Sequence, residues 1–432
     1  MQRTDEAVDK VRSLRAVLAE GGRRRATIGA VDQGRAVRLT RRSAGLLTVV
    51  LSLLFSIPSP AVALSWGPVR AITSDNLGLA FPGSTAAYSG GVAVAYRDIV
   101  GGEYGSYVRR STDGGTTWTS PTQLNVSGTM SSRPQLAAAG NTLDAVFWQS
   151  TDDAATSRII YRTSANGGTN WSSPITLSPS GTQAGSPSVA RVGSQVVVAW
   201  TNAITGRVGV RTSGDGGITF HARTDVATTV NQPGAGNGDF SLEAWPGVIY
   251  SDGVINLAYR TSESTLKLRR SGNNGGSWTP AITLASNADL LRSSLAASGR
   301  TVLIAYTVDP TSTLNGRAVY RRSGNAGQSW SSPVAFSGGS APPTGSPVVV
   351  FRSSAWRVAF ERCIDNECFE SQVYYRQSAS GSSWGAATKV TNGPSTYQFP
   401  AGVTQANGKT IVVFDSADST VESTNVLVRQ GS

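Results

Sequence analysis

The sequence predicts an all-β, seven-bladed β-propeller whose ring is closed by strands from both ends of the chain. Three observations predict it. A short element recurs at a near-fixed interval, seven apolar runs each end in an aromatic residue, and the two ends of the secreted part complement each other as halves of one repeat.

The recurring element is fullest at Ser111–Trp118, STDGGTTW. Degenerate copies are SANGGTNW from Ser164, SGDGGITF from Ser213, SGNNGGSW from Ser271 and SGNAGQSW from Ser323, with a worn copy, SASGSSW, ending at Trp384. The closing aromatics Trp118, Trp171, Phe220, Trp278, Trp330 and Trp384 lie 53, 49, 58, 52 and 54 residues apart. Asp113, Asn166, Asp215, Asn273 and Asn325 suit a tight hairpin, since Asx and Gly tolerate positive φ and the Asx side chain bonds its own backbone. The aromatic then plugs the gap beside the turn. A β-rich run with an arginine two places ahead of the element precedes each copy (Arg109, Arg162, Arg211, Arg269, Arg321, Arg376), and a short strand such as PTQLN or PITLS follows.

The second observation concerns the strand before that. The runs VAVAY, LDAVFW, VVVAW, INLAY, LIAY, RVAF and IVVF end in Tyr96, Trp148, Trp200, Tyr259, Tyr306, Phe360 and Phe414. Near-continuous apolar runs suit strands buried on both faces, here between neighbouring blades, with the aromatics as packing. The third concerns the ends. The chain stops at VLVRQGS, with Arg429 in the place ahead of an element, while Leu64-Ser65-Trp66 and GPVRAIT read as the close of an element and the strand after it. Joining the two gives a circular spacing of 51 residues, which completes a seventh blade and removes exposed sheet edges.

Residues 1–63 differ in kind. Residues 1–42 carry eleven Lys/Arg against five Asp/Glu, and the apolar run Ala44–Ile57 and an A-x-A site at Ala61–Ala63 follow. A basic flank, a short apolar core and a small-residue site predict a secretory signal peptide cleaved near Ala63–Leu64, leaving no membrane span. The propeller then comprises residues 64–432, a secreted monomer. Without the leader the chain holds 27 basic and 22 acidic residues, so the basic balance resides mostly in the leader and nucleic acid is not an expected partner.

The recurring elements resemble the Asp box, or BNR repeat, of sialidases and related β-propellers. That resemblance places each box on the turn between the third and fourth strands, away from the ligand face, as a structural feature. It places ligands on the face carrying the loops between strands two and three and between blades. Thirteen of the 22 carboxylates fall in the strand-two-to-three segments, among them Asp98, Glu103, Glu361 and Asp415, and Asp75, Asp225, Asp239 and Asp289 are assigned to blade-to-blade loops. Sialidases hold a substrate carboxylate with three arginines and use an aspartate as acid and base and a glutamate-activated tyrosine as nucleophile. The resemblance implies Asp98, Glu103, Glu243 and Tyr397 as catalytic candidates, and Arg97, Arg260 and Arg292 as substrate-binding ones. Glu361 and Asp415 join the binding set. The arginine expected two places before the first-strand proline is Ala80 here.

One histidine, His221, and two cysteines leave no set for Ser-His-Asp or Cys-His catalysis or for a zinc site, and no cofactor or metal is expected. Cys363 and Cys368, in RCIDNECF, predict a local disulfide in an exported protein. The expected function is binding of a glycan or cell-surface polysaccharide without hydrolysis. The alternatives are a retaining exo-glycosidase of the exo-alpha-sialidase type and a protein-docking scaffold.

Overall fold

In the computed structural model the described residues are 64–73, 81–100, 103–151, 156–180, 182–228, 246–262, 265–286, 288–308, 316–337, 344–364, 370–391, 397–418 and 421–432. They form seven four-stranded antiparallel sheets. Six sheets are continuous in sequence and run Phe81–Gln123, Met130–Thr176, Ala184–Thr228, Gly247–Ala285, Ala288–Ala335 and Thr344–Lys389. The seventh combines Tyr397–Ala406, Lys409–Asp418 and Val421–Gly431 with Arg70–Ala71 from the other end of the chain. The protein is a seven-bladed β-propeller.

Seven apolar clusters hold the ring, one between each pair of neighbouring blades. Second strands contribute to both clusters that flank their blade because alternate side chains enter the two interfaces. In blade 1, Val92, Val94 and Tyr96 pack on blade 7 while Ala93 and Ala95 pack on blade 2. The sequence reading needs one correction of register. Tyr96, Trp200, Tyr259, Tyr306, Phe360 and Phe414 each pair with the residue two places before the pre-box arginine, but in blade 2 that position is Phe147, facing Ile160. Trp148 lies one place further on and enters the cluster between blades 2 and 3.

Closure of the ring is as the ends of the sequence imply. Arg70 and Ala71 pair with Val428 and Leu427, Trp66 bridges Gly431, and the Ser65 and Ser432 amides exchange hydrogen bonds of 3.2 and 3.1 Å. Arg429 donates from Nε to the Gly67 carbonyl at 2.6 Å and from Nη2 to that of Trp66 at 3.5 Å, and its Nη1 reaches the Val390 carbonyl in blade 6. The Trp66 ring meets Tyr375 edge-on at 5.5 Å.

The boxes join third to outer strands, but not as two-residue hairpins. Outer strands restart about ten residues after the third strands end, and in blade 1 only Val108–Thr122 and Tyr107–Gln123 pair. Asp113 caps the loop instead. Its Oδ1 accepts from the Thr116 and Thr117 amides at 2.9 Å and from the Ser111 hydroxyl at 2.7 Å, its Oδ2 accepts the Thr117 hydroxyl at 2.6 Å, and Gly114 and Gly115 carry the positive φ (73° and 89°). These bonds hold the Asp113 carboxyl well below the usual range, the Thr117 hydroxyl contributing most. The Asn copies keep the Oδ1 acceptor and reverse the other bond. Asn273 and Asn325 donate from Nδ2 to Ser277 and Ser329 at 3.0 and 2.9 Å.

Candidate functional site

First strands decide what the loop face presents. In six blades the pairing of first and second strands slips at a bulge, between Pro82 and Ser84, Ser132 and Gln135, Gly185 and Ser188, Asp289 and Ser294, Gly345 and Val348, and Pro400 and Gly402. Prolines at 82, 134, 187, 347 and 400 sit at five of these bulges, which follows from proline having no N–H for the ladder. In blades 3 and 6 the residue before the proline is held at positive φ, Ser186 at 50° and Ser346 at 45°. Such a backbone costs on the order of 1–3 kcal/mol and persists only where its surroundings impose it. For Ser346 those surroundings are an amide bond to Thr307 Oγ1 (3.1 Å) and a hydroxyl bond to Glu361 Oε2 (3.4 Å).

Opposite the bulges, one register position at the loop-face end of each second strand follows the inner aromatic. Around the ring it holds Arg97, Trp148, Thr201, Arg260, Thr307, Glu361 and Asp415, each paired with the third-strand residue three places before the pre-box arginine. Four of the residues singled out by sequence, Arg97, Arg260, Glu361 and Asp415, thus share one position in four blades. Their neighbours along the strand fix their direction: Ala359 packs toward blade 7, so Glu361 faces blade 7, and by the same alternation Asp415 faces blade 1.

Blades 6 and 7 bring two carboxyls under mutual influence. Glu361 is buried, with 7% of its surface exposed, and its acidity is suppressed to a pKa of about 7. Burial is the main cause and the Asp415 charge adds to it, while the Ser371 and Ser346 hydroxyls oppose the shift. Asp415 accepts the Phe399 amide at 3.0 Å. In blade 1 the Arg97 guanidinium lies 4.8 Å over the Tyr104 ring, and Asp98, buried on the opposite face of the strand, accepts the Ile99 amide at 2.8 Å. Arg260 is buried in blade 4, three blades from Arg97.

A central channel of about 370 Å³ is lined by first strands from all seven blades, mostly by small residues, and among the described residues Arg191 and Arg352 are the charged ones. None of Arg97, Arg260, Glu361 or Asp415 lines it. Arg191 is already engaged: it forms an ion pair with the buried Asp144 at 2.5 Å, and Asp144 also accepts the Tyr161 hydroxyl at 2.6 Å.

The remaining sequence candidates divide. Glu243 and Cys368 lie outside the described residues, as do Asp75, Asp239 and the leader. Glu103 opens the third strand of blade 1 opposite Val100, Tyr397 opens the first strand of blade 7 opposite Ala417, and Arg292 falls within the blade 5 bulge. Cys363 ends the second strand of blade 6, buried, facing Ser371. Asp225 is not in a blade-to-blade loop. It belongs to the outer strand of blade 3 and pairs with Arg207 and Arg223 at 3.2 and 3.1 Å. The pre-box arginines are structural: Arg109, Arg269 and Arg321 donate to the hydroxyls of Tyr96, Tyr259 and Tyr306. Among the described residues no group of three His, Cys, Asp or Glu could hold a metal, and no helix is long and apolar enough to cross a membrane.

Residues 65–300 match the family model of the BNR repeat-like domain. No curated protein matches. Among solved structures, a protein of unknown function from Dyadobacter fermentans is 14% identical, with 85% of this chain and 98% of that one covered at a TM-score of 0.53. Trypanosoma rangeli sialidase, solved with the inhibitor DANA, is 12% identical over 81% of this chain and 54% of its own, at a TM-score of 0.46. NanB sialidase of Streptococcus pneumoniae is 11% identical over 88% and 72%, at 0.45. The chain therefore spans about half the length of the T. rangeli protein.

Proposed function

The chain belongs to the BNR repeat-like domain family, and from that premise we propose that it is a secreted propeller that binds a glycan or cell-surface polysaccharide on its loop face without hydrolysing it. One observation carries the reading. The equivalent positions around that face mix donors and acceptors: Arg97 and Arg260 in blades 1 and 4, Glu361 and Asp415 in blades 6 and 7, Thr201 and Thr307 in blades 3 and 5, and Trp148 in blade 2. Sugar hydroxyls both give and accept hydrogen bonds, so an uncharged polyol matches such a mixture. An anionic sugar would meet Asp415 and the ionised fraction of Glu361.

One feature favours the alternative of a retaining exo-glycosidase. A buried carboxyl with a pKa of about 7, such as Glu361, can deliver a proton near neutrality, as a general acid must. An array of neutral, amino and sialylated glycans, probed with residues 64–432 and with Arg97→Ala and Asp415→Asn, tests the proposal. Selective retention of neutral or amino glycans, weakened in both variants, supports it. Retention confined to sialosides, or equal retention by all three proteins, overturns it.

A further inference from the structure

A second cavity, of about 490 Å³, opens between the outer strand of blade 4 (Ile282–Ala285) and blade 5. That volume is in the range of small-molecule sites. Leu284, Val308, Val319, Pro333 and Ala335 give it an apolar wall, and among the described residues the charged ones that line it are Arg317 and Arg321, with no carboxylate.

Comparison around the ring shows what Arg321 does not do. In blades 2, 6 and 7 the pre-box arginine crosses to the preceding blade and donates to the carbonyl just past the register-paired part of its outer strand: Arg162 to Leu124 at 2.9 Å, Arg376 to Phe336 and Arg429 to Val390. In blade 5 the equivalent acceptor is the Leu284 carbonyl, since Thr283 faces Lys267 as Gln123 faces Tyr107. Arg321 turns away from it, as Arg109 and Arg269 turn to the tyrosine hydroxyls of blades 1 and 4. Its Nε donates to the Tyr306 hydroxyl at 3.2 Å and its Nη1 to the Ser331 carbonyl at 3.2 Å, and its Nη2 forms no hydrogen bond among the described residues. A guanidinium edge without its inter-blade acceptor therefore lines an apolar cavity.

We propose that this cavity binds a small organic carboxylate, with its apolar body against Leu284, Val308, Val319 and Ala335 and its carboxylate on Arg321. The carboxylate oxygen takes the part that a neighbouring carbonyl plays in blades 2, 6 and 7, and the bond is charge-assisted. Arg317, exposed at the wall, adds positive potential. A monoanion fits better than a phosphate, because a dianion would leave charge against an apolar wall with one turned guanidinium to meet it. The site shares no residue with the loop-face positions, so it stands or falls apart from glycan binding.

Benzoate and hexanoate are the probes, with benzyl alcohol and hexanol as uncharged counterparts. Ligand-observed NMR and calorimetry on residues 64–432 should give saturable binding of the acids and weaker binding of the alcohols. Arg321→Gln should weaken benzoate by about tenfold, in keeping with loss of a charge-assisted bond. Ala335→Leu, which fills the cavity and keeps the arginine, should abolish it, with an unchanged melting curve showing that the ring is intact. If Arg321→Gln does not fold, Ala335→Leu decides alone. Alcohols binding as tightly as acids, benzoate binding unaffected by Ala335→Leu, or no saturation by either acid would each overturn the proposal.

Discussion

Glu361→Gln should make the protein more stable at neutral pH and leave it unchanged in acid. The Glu361 carboxyl titrates at 4.5 in its ordinary state and at about 7 in the folded protein, because it is buried and faces the Asp415 charge. Between those values the folded state keeps a proton that the unfolded chain has released, so stability falls as pH rises. The penalty is absent below 4.5, grows through the window and is complete above about 7. A difference of this size corresponds to about 3 kcal/mol. Glutamine is close in size, carries no charge at any pH and can still accept from Ser346. Urea unfolding of wild type and Glu361→Gln, followed by tryptophan fluorescence between pH 4 and 9, measures it. The variant should match wild type near pH 4 and exceed it by on the order of 3 kcal/mol above pH 7. Asp415→Asn should narrow the gap by removing one of its causes. A difference independent of pH would refute the reasoning, because packing or hydrogen-bond changes alone carry no proton linkage.

Deleting residues 64–73 should expose the edge of Val421–Gly431, and Arg429→Ala should remove the bonds to Trp66, Gly67 and Val390; both should lower the melting temperature, and an unshifted deletion would contradict terminal closure. Asp113→Ala should cost about 1 kcal/mol at neutral pH, as loss of a capping side chain does, and the cost should shrink as pH falls below the usual carboxylate range, read by urea titration extended into that acid range. Cys363 and Cys368 should form a disulfide worth about 2 kcal/mol at most, given the short loop it closes, and titration of unfolded, unreduced protein should find no thiol. Mass measurement of exported protein should place the first residue near Leu64, and an exported species retaining residues 1–63 would reject the signal peptide.

Legibility followed the range of each interaction. The boxes were readable because each is a local motif: Asp113 and its partners lie between Ser111 and Thr117, and five of the six copies repeat the chemistry with Asp or Asn, the worn copy using Ser380. Closure was readable because Arg429 and Trp66 are recognisable halves of that motif. The register of blade 2 is ambiguous in the sequence because Phe147 and Trp148 are adjacent aromatics, and the distance back from Arg162 selects Phe147. The tight-hairpin expectation failed because Asx-Gly also describes a capped loop, in which the two residues after the Asx take positive φ, glycines in blades 1 to 3 and Asn274 and Ala326 with a following glycine in blades 4 and 5. Proline recurs thirteen or fourteen residues before the inner aromatic in six blades (Pro82, Pro134, Pro187, Pro246, Pro347, Pro400), a periodic signal for the first strands. The turn of Arg321 toward Tyr306 is legible after the fact, because the pre-box arginine turns to the inner aromatic where that residue is tyrosine and crosses to the preceding blade where it is phenylalanine. The coupling of Glu361 to Asp415 depends on a neighbouring blade, and no spacing in one sequence encodes it.

Whether the loop face binds without cutting is tested most directly by release of a fluorogenic leaving group. Residues 64–432 are incubated with sialosides and with neutral glycosides of the class that the array selects. The account predicts retention of the neutral glycan with no release from either substrate above the rate of buffer. Sialoside turnover that is lost in Arg97→Ala, Arg260→Ala and Tyr397→Phe would contradict it and make the protein a glycosidase.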